Sequence, residues 1–173
     1  MKKELNLIRK TFEGFTLIEL ILYMAIVSVV TTSLISFGWN IINNGIKSTV
    51  DEEVYSNGRY IAEKIKYEIR NASGINTVNT TSISLSESNP ADNPTVINLS
   101  SSRVTIKKGA AAAVSLNSND TAISNLVFTN YSSLDNKTKN IQFSFTIFYK
   151  ANSVRGDYQS SANFEGDGEV RSN

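Results

Sequence analysis

The sequence predicts an α+β protein in which one long N-terminal helix precedes a head built on an antiparallel β-sheet. Three observations predict this fold class: an uncharged apolar segment from Leu20 to Ile46, a helix-periodic apolar stripe further along the chain, and apolar–polar alternation near the C-terminus. The 173 residues are enough for one globular domain with one added element.

The composition excludes several classes of function. The chain has no Cys and no His, which excludes a disulfide framework, thiolate or imidazole metal ligands, and cysteine or serine–histidine catalysis. Its 17 Lys and Arg residues against 16 Asp and Glu give a net charge of +1, which provides no global basic field for nucleic acid. Because no set of carboxylates is placed in a cleft by the sequence, we expect no enzymatic activity, no cofactor and no metal site.

The apolar segment is long enough to cross a membrane, because about twenty helical residues span the roughly 30 Å hydrocarbon core. It follows a leader with four basic residues, Lys2, Lys3, Arg9 and Lys10. Such a positive flank stays cytoplasmic, which predicts a single span with the rest of the chain on the other side. Glu19 lies just before this uncharged segment, in the longer apolar run that begins at Phe15. A carboxylate there costs about 3 kcal/mol, so we expect a positively charged partner for it.

The junction between the leader and the apolar segment reads KTFEGFTLIEL from Lys10 to Leu20. It resembles the prepilin signature of the type IV pilin and type II secretion pseudopilin superfamily, with Gly14 ending the leader, Phe15 beginning the mature chain and Glu19 fifth in it. The resemblance implies cytoplasmic cleavage between Gly14 and Phe15 by a membrane-embedded prepilin peptidase, followed by N-methylation of Phe15. It also implies that Glu19 meets the N-terminal amine of an adjacent subunit during filament assembly.

The segment NGRYIAEKIKYEIRNASGI, from Asn57 to Ile75, resembles the helix end of minor pilins and pseudopilins of the W and J types. The resemblance therefore implies a minor pilin or pseudopilin of a type IV pilus or type II secretion-like filament, and a major pilin stays open. The implied partners are a prepilin peptidase and other pilin or pseudopilin subunits.

The implied location is the cytoplasmic membrane, with a single pass, a cytoplasmic N-terminus and an extracytoplasmic head, and afterwards the filament. The alternative is a single-span membrane-anchored surface binding protein, an adhesin or a DNA receptor, whose anchor is passive.

These features divide the chain into four segments: residues 1–14 as leader peptide, 15–42 as transmembrane and filament-core helix, 43–74 as the amphipathic half of the helix, and 75–173 as the β-rich extracytoplasmic head. Within the third segment one stripe is apolar and is expected to cover the sheet, namely Val54, Ile61, Ile65 and Ile69. We expect a kink or local break between Asn40 and Gly45, and a left-handed cap at Gly74 where the helix ends.

Six strands are expected in the head. The strongest signal runs from Ile141 to Tyr149, where every second residue is apolar and Phe148 alone is out of phase. The others are Ser82–Leu85, Thr95–Leu99, Val104–Lys107, Ala112–Leu116 and Leu126–Asn130, with a turn at Lys107–Ala110.

Three further patterns have a ligand interpretation and a plainer one, and we favour the plainer one each time. Arg155-Gly156-Asp157 spells an integrin-type tripeptide, but Gly-Asp is ordinary in turns. The segment 165–169 offers oxygen ligands for Ca²⁺ without EF-hand spacing, and we interpret it as a solvated acidic tail. Six basic residues could form a face that binds DNA, but the same residues are typical of any solvent-exposed surface. They are Arg103, Lys107, Lys108, Lys137, Lys139 and Lys150.

Overall fold

The computed structural model describes residues 14–135, 138–151 and 156–171. Within them lie one helix, eight strands and a 3-10 turn at Gly156–Tyr158: α1 (Leu17–Asn71), β1 (Gly74–Asn79), β2 (Ser82–Ser86), β3 (Thr95–Ser100), β4 (Arg103–Lys108), β5 (Val114–Ser115), β6 (Thr121–Asn130), β7 (Asn140–Tyr149) and β8 (Ser161–Glu169). The α+β fold class is therefore as predicted. The chain divides into two compact units between Ile42 and Asn43, and α1 contributes residues to both.

The N-terminal unit contains the apolar part of α1. Its hydroxyl groups bond within the helix: Ser28 Oγ donates to Met24 O at 2.7 Å, Thr32 Oγ1 to Ser28 O at 2.8 Å, and Ser36 Oγ to Thr32 O at 3.1 Å. A membrane segment requires such internal pairing, because hydrocarbon offers no hydrogen-bond partner. The expected local break between residues 40 and 45 is wrong, since α1 remains helical through these residues.

In the head unit, one face of α1 is buried in the core. The predicted stripe is confirmed, because its four members have no exposed surface: Val54, Ile61, Ile65 and Ile69. Gly58 lies on the same buried face, and a Cβ placed there would be 2.1 Å from Cε2 of Phe164. The glycine therefore allows α1 to lie directly against β8.

The end of α1 differs from the prediction. Among the described glycines only Gly109 has a positive φ, so Gly74 does not act as a left-handed cap and instead begins β1. The N–H of Ser73 donates to Ser86 O at 2.8 Å. The chain thus passes from the helix directly into the pairing of β1 with β2, which supplies the hydrogen bonds that a cap would otherwise provide.

The strands form two antiparallel sheets, in which each strand pairs with its neighbour in sequence. The larger sheet has the order β1-β2-β3-β4-β5 and the smaller one the order β6-β7-β8. The two sheets meet where Phe128 N donates to Thr80 O and Ile123 N donates to Ser102 O, both at 2.9 Å. Side chains from both sheets and from α1 form one hydrophobic cluster.

The strand β7 lies at the centre of the smaller sheet, and its alternation is confirmed. Its inward side chains are at most 2% exposed, namely Ile141, Phe143, Phe145 and Ile147, whereas the out-of-phase Phe148 is 36% exposed. The neighbouring β6 begins at Thr121, earlier than predicted. A bulge between Ser124 and Val127, with Asn125 at a φ of 54°, interrupts the alternation in its first half.

Two strands, β1 and β8, were not predicted. Residues 165–169 do not form a tail as predicted, because they belong to β8 and pair with β7, but their acidic side chains are exposed as expected. Gly166 and Gly168 lie on the inner face of β8, where a Cβ at Gly168 would be 2.8 Å from Cγ2 of Ile69. A Cβ at Gly166 would be 2.7 Å from Cζ of Phe143, so small residues are needed where β8 meets α1 and the Phe143 ring of β7.

The turn after β4 is confirmed at Gly109, whose φ is 50° and whose added Cβ would lie 2.1 Å from the carbonyl oxygen of Ala91. The strand that follows is shorter than expected, since β5 contains only Val114 and Ser115.

A buried ion cluster joins α1 to the larger sheet. Glu68 is 1% exposed, and its carboxylate lies 2.8 Å from Lys64 Nζ and 2.9 Å from Lys108 Nζ. Burial lowers the pKa of Lys108, but the hydrogen bond and the charge of Glu68 outweigh it and raise this pKa above its ordinary value. The pair therefore ties the last turns of α1 to the end of β4.

A second polar contact ties the head's first helical turns to the segment before β8. Lys47 Nζ donates to the carbonyl oxygen of Gln159 and lies 3.1 Å from Oδ1 of Asp51. A hydrogen bond from the Ser160 side chain holds the pKa of Asp51 below its ordinary value. These contacts position the start of β8.

Candidate processing and assembly site

The residues of the predicted cleavage site lie immediately before the helix. Gly14, Phe15 and Thr16 have no regular secondary structure, and α1 begins at Leu17. A Cβ added to Gly14 would meet nothing within 4 Å. The described chain therefore does not itself require a glycine at this position, which is compatible with a residue that another molecule must approach closely.

A reciprocal capping box fixes the start of α1. The backbone N–H of Thr16 donates to Oε2 of Glu19 at 3.0 Å, and the Thr16 hydroxyl donates to the same oxygen at 2.9 Å. In return, the N–H of Glu19 donates to Thr16 Oγ1 at 3.3 Å. This is the N-cap and N3 arrangement of a helix N-terminus, and it places the helix start two residues after the predicted scissile bond.

Sequence reasoning missed Thr16, although the signal was present. A threonine followed three residues later by glutamate, just before an apolar run, is the sequence pattern of a capping box. The cationic partner expected for Glu19 belongs to an adjacent subunit and stays a prediction. Within the described chain, the Glu19 carboxylate accepts two hydrogen bonds from Thr16.

The ring of Phe15 packs back onto the helix. It lies 6.0 Å from the ring of Tyr23, centroid to centroid, with an interplanar angle of 80°. This edge-to-face geometry is favourable for aromatic pairs. The residue that would become the mature N-terminus is thus oriented by contacts inside the N-terminal unit.

The apolar side chains that follow are uncovered. Phe15, Leu17 and Ile18 are 79%, 77% and 73% exposed, and the other large apolar residues up to Ile42 are also exposed. Among the described residues, α1 is the one helix long and apolar enough to cross a membrane, with a mean hydropathy of 2.2 over its most apolar window. Such a surface needs lipid or other helices around it.

Among the described residues, the structure brings together only part of the candidate basic face. Arg103 and Lys150 meet at Asn119, where Arg103 donates to Oδ1 at 2.8 Å and Lys150 Nζ donates to the backbone oxygen at 3.3 Å. Lys108 is instead paired with buried Glu68. Lys139 and Lys150 flank the two ends of β7, which places them roughly 35 Å apart. Lys137 lies outside the described residues, as does Arg155 of the Arg-Gly-Asp tripeptide.

No group of three acidic residues able to hold a metal ion occurs among residues 14–135, 138–151 and 156–171. The acidic positions of β8 instead alternate along the outer face of the strand, pointing away from α1.

Residues 9–35 match the family model described as the prokaryotic N-terminal methylation motif. No curated protein and no solved structure matches the chain. The matched segment contains Gly14, Phe15 and Glu19. The protein thus carries a prepilin-type methylation motif at the start of a pilin-like α+β architecture, which confirms the resemblance to the type IV pilin and pseudopilin superfamily.

The motif supports a pilin-like or pseudopilin-like protein that is processed by a prepilin peptidase, and the single apolar helix fits a membrane-anchored protein of this kind. The W or J type stays a prediction.

Proposed function

We propose that the protein is a structural subunit, a minor pilin or pseudopilin, of a type IV pilus or a type II secretion-like filament, and that it has no enzymatic activity. One observation carries this proposal: the methylation motif opens a helix whose apolar side chains the chain itself leaves exposed. A passive anchor needs the apolar helix but not the motif. A filament subunit needs both, because the same helix is first held by lipid and then packs against other helices.

In the proposed pathway, the peptidase cuts the Gly14–Phe15 peptide bond on the cytoplasmic side and removes the leader. The bond lies before the first helical residue, so the peptidase need not unwind α1 to reach it. The new amine on Phe15 is then methylated. The capping box lies beyond the cut and does not depend on the leader, so Thr16 and Glu19 keep the helix start unchanged in the mature chain.

During assembly the apolar part of α1 leaves the lipid, and neighbouring α1 helices take the place of the acyl chains. Glu19 supplies a carboxylate near the new amine of an adjacent subunit, which compensates two charges that both lose water. The head stays extracytoplasmic, as expected when the positive leader stays in the cytoplasm. Other pilins or pseudopilins are therefore its partners.

The test is N-terminal peptide mass spectrometry on the protein purified from its native membrane. We expect a chain that begins with N-methylated Phe15, and an intact leader when the prepilin peptidase is inactive. The variant Gly14→Glu should keep its leader in cells with active peptidase. An intact Met1 leader in the unmodified protein, or cleavage at another bond, would instead favour a passively anchored binding protein.

A further inference from the structure

The strand β8 lies at an edge of the smaller sheet. In the order β6-β7-β8 it pairs with β7 on one side, and no strand of the described residues pairs with its other side. At nine residues it is longer than most edge strands that proteins leave open. An unpaired edge offers a row of backbone N–H and C=O groups to another chain.

The register shows which residues offer these groups. Val170 N donates to Lys139 O at 2.9 Å, and Tyr149 N donates to Ser160 O at 3.0 Å. Because hydrogen-bonded pairs alternate along antiparallel strands, the even-numbered residues of β8 bond to β7. The N–H and C=O groups of the odd-numbered residues therefore point to the open side, and these residues are Ser161, Asn163, Glu165, Asp167 and Glu169.

The side chains of the same odd-numbered residues lie on the outer face of the sheet, away from α1. A groove of about 500 Å³ lies on this face, and a second groove of about 550 Å³ shares Glu165 with it and is also lined by Lys66 of α1. The grooves are lined from β7 mainly by polar side chains, among them Gln142, Ser144 and Thr146. Side chains of an added strand would thus meet a polar surface beside the open edge.

The charge on this face selects the kind of strand that can pair. Three of the five odd-numbered residues are acidic, and the ammonium of Lys66, which lines one groove, lies 3.4 Å from the carboxylate of Glu63. Two β8 edges brought together would place acidic side chains opposite one another, and like charges directly opposite are destabilising. The edge therefore disfavours a second copy of itself and favours a basic strand.

We propose that β8 accepts an extended basic segment of a partner protein as an added antiparallel strand, with Lys or Arg at every second position facing Glu165, Asp167 and Glu169. Backbone hydrogen bonds hold the segment, and the alternating charges select it. This surface lies in the head and does not depend on processing or filament assembly.

The test uses the full chain in detergent micelles and a capped peptide, Lys-Thr-Lys-Thr-Lys-Thr-Lys. Amide hydrogen exchange is measured at single-residue resolution by nuclear magnetic resonance. We expect the peptide to slow exchange at odd-numbered β8 amides, at Glu165 and Asp167 by roughly tenfold or more, and to leave even-numbered amides unchanged because β7 already protects them. Binding without this alternation, or no protection at millimolar peptide, overturns the proposal.

Matched peptides and variants separate strand pairing from simple charge attraction. Backbone N-methylation at the Lys positions removes the N–H groups that face β8 but keeps all charges, and it should abolish protection. N-methylation at the Thr positions, which point away, should leave protection in place. Asp167→Lys should weaken binding by about five- to tenfold, whereas Glu52→Lys, with the same change in net charge on α1, should not. Equal binding of both methylated peptides would contradict an added strand.

Discussion

Thr16 donates both its backbone N–H and its hydroxyl to one carboxylate oxygen of Glu19, at 3.0 and 2.9 Å. A carboxylate accepts at two oxygens with about four lone-pair sites in all, so these bonds leave acceptor capacity for an amine from outside the chain. The intramolecular cap and the proposed intersubunit contact are therefore compatible. The cap also gives Glu19 a function before assembly, because it satisfies donors at the helix start while the subunit is still in the membrane.

The two roles of Glu19 can be separated by substitution. Glu19→Gln keeps an acceptor for Thr16, since glutamine also serves in a capping box, but it removes the charge. Glu19→Ala removes both. We expect both variants to be processed and inserted normally and both to be depleted from filaments, because the amine of the neighbour then has no opposite charge. The measurement is the ratio of subunit in sheared filaments to subunit in membranes.

The control for this experiment is Glu52→Ala, at an exposed glutamate in the head part of α1. Normal incorporation of Glu19→Gln with loss of Glu19→Ala would assign the requirement to the cap alone. Normal incorporation of both variants would remove Glu19 from assembly.

The buried ion cluster predicts unequal effects for two neighbouring lysines. Lys108→Met leaves the carboxylate of Glu68, which is 1% exposed, with Lys64 as its remaining ionic partner. We expect a loss of about 2–3 kcal/mol in the free energy of unfolding of the head, less than the full cost of leaving a buried charge unpaired because Lys64 still pairs with Glu68. Lys107→Met, at an exposed position of the same strand, should change it by less than about 0.5 kcal/mol. Thermal unfolding followed by circular dichroism in micelles measures both, and equal effects would contradict the cluster's role.

Glu87 predicts a pH-dependent stability. Burial raises its pKa above the ordinary value of 4.5, a hydrogen bond with Thr95 lowers it, and the charge of Glu68 raises it further. The native state therefore binds more protons than the unfolded chain between the two pKa values, and this group's contribution to stability falls as the pH rises through them.

We expect Glu87→Gln to raise the melting temperature at pH 8, where the wild-type side chain is charged, and to give no gain well below pH 4.5, where it is protonated in both states. Melting curves of Glu87→Gln from below pH 4.5 to pH 8 test this expectation. The control is Glu52→Gln, at an exposed glutamate. A gain that does not change with pH would show that the effect is not the charge of Glu87.

The N-terminal features could be predicted because they are local in sequence. The basic leader, the uncharged run and the positions of Gly14 and Glu19 are all contained in one continuous segment, and the later matched motif covers the same residues. The β7 strand was equally clear, since one of its faces is buried in the core and the other is largely exposed. In β7 the apolar–polar alternation of the sequence therefore matches the burial of the side chains.

β8 could not be predicted because its inner face carries no apolar pattern where α1 comes close. A Cβ would meet the ring of Phe143 at Gly166 and Ile69 of α1 at Gly168, so the fold needs small residues at both positions. Hydrophobic periodicity cannot detect inner-face positions that carry no side chain. The first half of β6 was also not predicted, because its bulge at Asn125 shifts the alternation of apolar and polar residues. The cap at Thr16 was detectable and was missed.

The close approach of α1 to β8 predicts opposite outcomes for two helical glycines. A Cβ at Gly58 would lie 2.1 Å from the ring of Phe164, and that ring is held by stacking on Phe145 at 5.5 Å and by an edge contact with Tyr55. Overpacking of this kind costs about 1–3 kcal/mol, more than the gain of up to about 1 kcal/mol that alanine brings to a helix.

Gly58→Ala should therefore lower the free energy of unfolding of the head by about 1 kcal/mol. Gly45→Ala should leave it unchanged or raise it, because a Cβ at Gly45 meets nothing within 4 Å. Parallel thermal unfolding of the two variants in the same micelles makes the comparison. If Gly58→Ala were as stable as Gly45→Ala, the ring of Phe164 would have room to move, and α1 would not be in tight contact with β8 at this position.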